Sequence, residues 1–338
     1  MSGPAALPTA LVAPRVTSLR ALRDAAAFYL RHQEALPRPS PLHRALWGAA
    51  ATAHAARLVA TDPGLRRAAL LPTALTLLGC AVLAGCSTLR GDADAPGGPS
   101  TFQAFLVSFV ALSSMPPTVL QRLWIKLANE ARRALGQPPG EDPFPDEPFL
   151  HLVWREGWKA VRQTVVVAVG LVPLLAAVHL LPAGRQEAAA LGGLWAFYWI
   201  VVDAFELPME VVPGPRTGGP VPWFVRWYLR AGDWSKVLRP LRLAARWTDR
   251  LARPWREEIA FTERHPAETL GFGAVAAALL AIPVAGLFFR AVAIVGATAL
   301  AGRLEPQGAP EHLAPPPLEP LASPPPPPLE PPPLPPAP

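Results

Sequence analysis

The sequence predicts an all-α integral membrane protein, with four long membrane helices, a C-terminal re-entrant helical hairpin and amphipathic helices at the interface. Three observations carry that expectation. Hydrophobic residues make up 51% of the 338 and charged residues only 17%, against roughly 25% charged in a soluble globular chain; mean hydropathy is +0.25. Four apolar stretches approach the ~20 residues needed to cross a ~30 Å hydrocarbon layer. The basic residues, nearly all arginine, gather beside those stretches, as cytoplasmic flanks do. This composition excludes an ordinary soluble enzyme and a wholly disordered chain.

Residues 1–16 are small, Pro-rich and aperiodic, which predicts disorder. Residues 17–60 read as two cytoplasmic or interfacial helices. In the first, from Thr17 to about Ala35, Leu19, Leu22, Ala26 and Tyr29 share a side. The second runs from Pro41 to Ala60 and stops at the Thr61-Asp62-Pro63 turn. A multi-pass membrane domain follows over 61–305. Its expected spans are Ala68 to about Leu89, Phe102 to about Leu123, Thr164 to Leu181, and Ala188 to about Phe205. A fifth apolar region, Leu270 to Leu300, is interrupted by Pro283 and Arg290. It is too long for one straight span and short for two, which favours a hairpin that enters and leaves one face, sheltered by protein.

The arginines set the expected orientation. Arg57, Arg66 and Arg67 precede the first span; Arg122, Lys126, Arg132 and Arg133 follow the second. About ten basic residues lie between Arg216 and Arg256. The expectation is an inner-membrane protein with a cytoplasmic N-terminus and, given a re-entrant hairpin, a cytoplasmic tail.

Within a basic insertion over 211–255, Pro222 to Trp255 reads as two amphipathic helices broken at Pro240. Trp223, Trp227, Trp234, Leu241, Ala244, Trp247 and Leu251 supply an aromatic, apolar side. Arg239, Arg242, Arg246, Arg250 and Arg253 form a basic stripe. Such helices either lie on an anionic membrane surface or pack on the protein's own spans with a solvated arginine face. Nothing supplies base readout, so no nucleic-acid partner is expected. Residues 306–338, about half proline, predict a polyproline II tail.

Signals for catalysis are missing. There is no H-E-x-x-H, paired-cysteine, G-x-S-x-G or Walker A pattern, so neither an enzyme nor a cofactor is expected. Cys80 and Cys86 on one helix stand roughly 9 Å apart along its axis, beyond a disulfide's reach. Leu83-Ala84-Gly85-Cys86 imitates a lipoprotein cleavage box, but more than sixty residues precede it.

Two constellations bear on ligand binding. Thr61 to Arg67 places a capping residue, Pro63 and Gly64 at a helix start followed by Arg66 and Arg67, a ready oxyanion site whose amides Asp62 would also compete for. The bland reading is a helix start with a positive flank. Asp203 and Glu206 share a helical face at the inner end of the fourth span, Glu210 lies one turn on, and Arg290 interrupts the hairpin. They are candidates for proton-sensitive or paired buried charges, or for groups that snorkel to an interface.

With these residues in view, the chain resembles the membrane superfamily of the CysZ-type sulfate permeases and the etoposide-induced eukaryotic membrane proteins. The likeness rests on Leu270-Gly271-Phe272-Gly273, then Ala281-Ile282-Pro283, then Ala293 to Leu300 with its Val295-Gly296-Ala297-Thr298 core. Leu207-Pro208-Met209 and the passage from Gly64 into Leu70-Leu71-Pro72 support it, from about Leu42 to Glu305. The resemblance implies long membrane helices with partly inserted hairpins and, for the permeases, proton-sensitive sulfate uptake. It also implies a Gly-Leu-Arg sulfate loop at the start of the first long helix, here Gly64, Leu65 and Arg66, with Arg67 next. The segment from Val211 to Trp255, the N-terminal extension and the tail depart from a typical permease. Two functions are therefore expected: a permease for sulfate or a related oxyanion, or a non-transporting membrane scaffold acting through the basic segment and the tail. The expected partners are anionic membrane lipids and the oxyanion, with self-association left open.

Overall fold

The computed structural model describes residues 12–90, 101–113, 120–140, 148–180, 185–212, 218–234, 239–282 and 284–306. Among them every regular element is a helix: α1 Leu19–Arg31, α2 Pro41–Thr61, α3 Pro63–Arg90, α4 Thr101–Ser113, α5 Gln121–Ala134, α6 Phe149–Leu180, α7 Arg185–Ala204, α8 Glu206–Glu210, α9 Trp223–Trp234, α10 Pro240–Ala252, α11 Arg256–Arg264, α12 Pro266–Leu280 and α13 Ala285–Leu304. A short 3₁₀ turn, Arg253–Trp255, joins α10 to α11.

Three stretches are long and apolar enough to cross a bilayer: Pro63–Cys86, Gln186–Glu210 and Ala285–Leu304. The first two cover the expected first and fourth spans. The third expected span falls on α6 as far as Leu180, with Leu181 outside the described residues. The second falls on α4 and the start of α5, with residues 114–119 outside the described set. Helix α5 is amphipathic, with Trp124, Ile125, Leu127, Ala128 and Ala131 buried. On α3, Leu70, Leu71, Leu75, Leu78, Val82 and Leu83 are exposed, the pattern of a helix whose outer face meets hydrocarbon.

The fifth apolar region forms two helices, α12 and α13, joined by residues 281–284. Val284 takes a φ of 64°, rare for a β-branched residue; Pro283, expected as the interruption, lies outside the described residues. Helix α13 is the hub, packing on α2, α3, α5, α8 and α12. Every residue from 291 to 301 is buried, whereas Ala281 and Ile282 at the connection are exposed, so the described part of the turn lacks the shelter by protein expected of it.

The pairing of α2 with α12 explains the glycines of the resemblance motif. A Cβ on Gly48 would strike the Glu268 carbonyl, and one on Gly271 would strike the Ala45 carbonyl, so the two helices meet backbone to backbone from both sides. Phe272 is fully buried, 5.5 Å from the Phe205 ring. A Cβ on Gly296 would come within 2.7 Å of the Phe272 ring, and one on Gly273 would collide with Val201. The Gly-Phe-Gly and Val-Gly-Ala-Thr motifs are two halves of one packing joint. Nearby, Arg44 Nε donates to Glu268 Oε1 at 2.5 Å.

The N-terminal helices are tied to this core. Ser18 caps α1 through the Ala21 amide, and Trp47 and Gln33 exchange side-chain-to-carbonyl hydrogen bonds. Arg303, near the end of α13, donates to the Gln33 carbonyl at 2.7 Å. A third cluster gathers Val166, Trp195, Trp199, Phe224, Tyr228, Ala245 and Trp255, packing α9 and α10 on α6 and α7.

Candidate functional site

The helix start at Pro63 has the shape expected from its sequence, and Asp62 fills it. Asp62 Oδ1 accepts from the Gly64 amide at 2.7 Å and from the Leu65 amide at 2.9 Å. The two amides expected to donate to an oxyanion are thus satisfied from within. Leu65 is buried among Ala69, Trp124, Ile125 and Val295, which anchors the turn against α5 and α13. Arg66 and Arg67 are exposed, and among the described residues no carboxylate pairs with either. The corner therefore presents two free guanidinium groups at the positive end of a 28-residue helix, with an internal carboxylate holding the amides.

A second constellation forms where α5, α6, α7, α8 and α13 converge. Asp203, Glu206 and Glu210 recur at three and four residues, one face continued across the α7–α8 junction. Lys159 and Gln163, four apart on α6, face it. Lys159 Nζ pairs with Glu206 and also with Glu210 Oε1, the latter at 2.7 Å. Gln163 Nε2 donates to Asp203 Oδ1 at 3.2 Å, and Gln121 of α5 donates to Glu210 Oε2 at 2.8 Å. The Lys159, Glu206 and Glu210 side chains keep 18%, 15% and 6% of their surface. Low local dielectric makes such pairs strong and costly to break.

Arg290 had two readings from sequence, a pair with Asp203 or Glu206 or a group that snorkels to an interface. It lies within electrostatic reach of both, but among the described residues it bonds directly to neither; Lys159 is the direct partner. Sequence reasoning missed Lys159, Gln121 and Gln163. One signal was available: Lys159 is one of only three lysines in an arginine-rich chain. Three carboxylates thus gather around Lys159, with Arg290 at longer range.

The two constellations share their supports. Gln121 of α5 holds Glu210, while Trp124 and Ile125, one turn on, pack with Leu65. Helix α13 carries Arg290 to one and Val295 to the other.

The sequence model of the family described as sulfate transporter CysZ/etoposide-induced protein 2.4 matches residues 51–290. The chain belongs to that family. The matched region takes in the helix corner at Asp62, the network around Lys159, and the glycine joint as far as Phe272 and Gly273. It also spans the basic segment from Val211 to Trp255. No curated protein and no solved structure matches the chain. With its apolar helices, family membership makes this a membrane protein.

Proposed function

We propose that the chain is a multi-pass permease for sulfate or a related oxyanion, without covalent chemistry. The observation that carries this reading is the free Arg66–Arg67 pair at the start of a long apolar helix, in a family whose description names sulfate transport. A doubly charged oxyanion docks by charge-assisted hydrogen bonds to the two guanidinium groups and takes the Gly64 and Leu65 amides over from Asp62. The Lys159–Glu206–Glu210 network, with Asp203 and Arg290, is the proton-sensitive element. In this reading α3, the α4 region, α6 and α7 are the four membrane helices, and α12 with α13 is the re-entrant hairpin. The N-terminus and tail then face the cytoplasm.

Uptake of labelled sulfate into proteoliposomes tests the proposal. The wild type accumulates sulfate, and Arg66→Ala with Arg67→Ala abolishes uptake; equal uptake by both defeats the site assignment. A membrane scaffold is the second reading, favoured by the exposed tryptophans of α9 and α10. Calorimetry separates the two, since a scaffold shows no heat of binding at millimolar sulfate.

A further inference from the structure

The basic segment divides its aromatic residues between two destinations. On α9, Phe224, Val225 and Tyr228 are buried against α6 and α7, and the Tyr228 hydroxyl donates to the Gly170 carbonyl. On α10, Ala245, Thr248 and Ala252 are buried. The protein-facing side is thus satisfied by the protein itself. Trp223, Trp227, Trp234 and Trp247 nevertheless stay exposed, Trp234 at 81%. They lie outside the buried cluster of Val166, Trp195, Trp199, Phe224, Tyr228, Ala245 and Trp255.

On α9 the outward residues run Trp223, Arg226, Trp227, Arg230 and Trp234, a spacing of three and four that keeps them on one face. On α10 the outward residues are Arg242, Leu243, Arg246, Trp247 and Arg250, with Arg239 and Arg253 at its ends. The helices pack side by side, and an Asp233–Arg242 ion pair joins them. Glu263 of α11 accepts from the Trp223 amide at 2.8 Å and pairs with Arg226, fixing the start of α9. Among the described residues, Arg230, Arg239, Arg246, Arg250 and Arg253 have no carboxylate partner. The Arg250 guanidinium lies 6.0 Å from the Trp247 ring, a cation–π arrangement.

We propose that this joined outer face of α9 and α10 docks onto anionic phospholipid headgroups. Exposed indoles interleaved with unpaired arginines match the headgroup region, where the rings enter the interface and guanidinium groups meet phosphate. A second copy of the same face would set arginine against arginine. The proposal holds whether or not the chain carries sulfate.

The test uses full-length protein in nanodiscs of equal phosphatidylcholine and phosphatidylglycerol, with bromine on the upper acyl chain of one lipid at a time. Subtracting the emission of a Trp223→Phe, Trp227→Phe, Trp234→Phe, Trp247→Phe variant isolates the four exposed indoles. Brominated phosphatidylglycerol should quench that emission at least about threefold more strongly than brominated phosphatidylcholine at low salt, since each basic residue adds to the attraction. The ratio should fall toward one at high salt. Substituting Gln for Arg230, Arg239, Arg246, Arg250 and Arg253 should abolish it at unchanged thermal stability. Equal quenching by both lipids in the wild type overturns the proposal. So does emission that neither lipid quenches, the result expected if water, a nucleic acid or a second copy covers the face.

Discussion

Lys159 holds two carboxylates at once, so its removal exposes both to the cost of an uncompensated buried charge. Lys159→Met should lower the unfolding free energy in detergent by about 3 kcal/mol. Adding Glu206→Gln and Glu210→Gln should restore most of it, because neutral amides no longer need the ammonium group. A triple variant as unstable as the single one would mean that Lys159 acts through packing alone. The acids of this cluster were readable, since Asp203 and Glu206 interrupt an apolar run at helical spacing. Their partners were not. Lys159 and Gln121 come from helices distant in sequence, and only the packing of α5 and α6 against α8 brings them to Glu210. The helix corner at Asp62 was the reverse case. Its residues, and even the rival Asp62, follow from local sequence, because capping is a contact between residues two and three apart.

At the scale of elements, the crossing of α2 and α12 makes the sharpest demand on sequence. Gly271→Ala should destabilise the protein by about 2 kcal/mol or more, because the added methyl meets a backbone carbonyl rather than a yielding side chain. Gly193→Ala in α7, where a Cβ meets nothing within 4 Å, should be neutral or stabilise by about 0.5 kcal/mol. Thermal melts of the two variants side by side check this; equal effects would show that the close crossing does not set the cost at Gly271. The starts of α2 and α10 at Pro41 and Pro240 were legible from their prolines. The outer faces of α9 and α10 were only half legible. Periodicity showed that the helices are amphipathic, but their apolar residues span more than one face. The protein uses the side around Phe224 and Tyr228, one step round from the tryptophans.

For the molecule as a whole, acid should weaken the N-terminal helices before it touches the rest. His43 is buried against the Tyr29 hydroxyl, and burial, with Arg38 nearby, holds its pKa below the usual 6.5. Burial lowers His54 in the same way, helped by Arg303 and Arg57 and opposed by Glu34. A histidine whose native pKa is depressed costs nothing while both states are neutral. Below about 6.5 the unfolded chain takes up a proton that the native state refuses, and stability falls until the native pKa is passed. The melting temperature should therefore drop as pH falls below about 6.5, and His43→Gln with His54→Gln should flatten that drop. Glu305 follows at lower pH. Its hydrogen bond from His265, with Arg264 beside it, holds its carboxyl below the ordinary 4.5, so its contribution is present above that value and lost as pH falls further. An identical pH profile in the doubly substituted protein would place the sensitivity elsewhere.

The double glycine contact also constrains how such a molecule can move. Two rods touching main chain to main chain at two points can neither roll nor slide past one another without first being prised apart. Any rocking that opens a path beside α13 must therefore carry α2 and α12 together as a single lever.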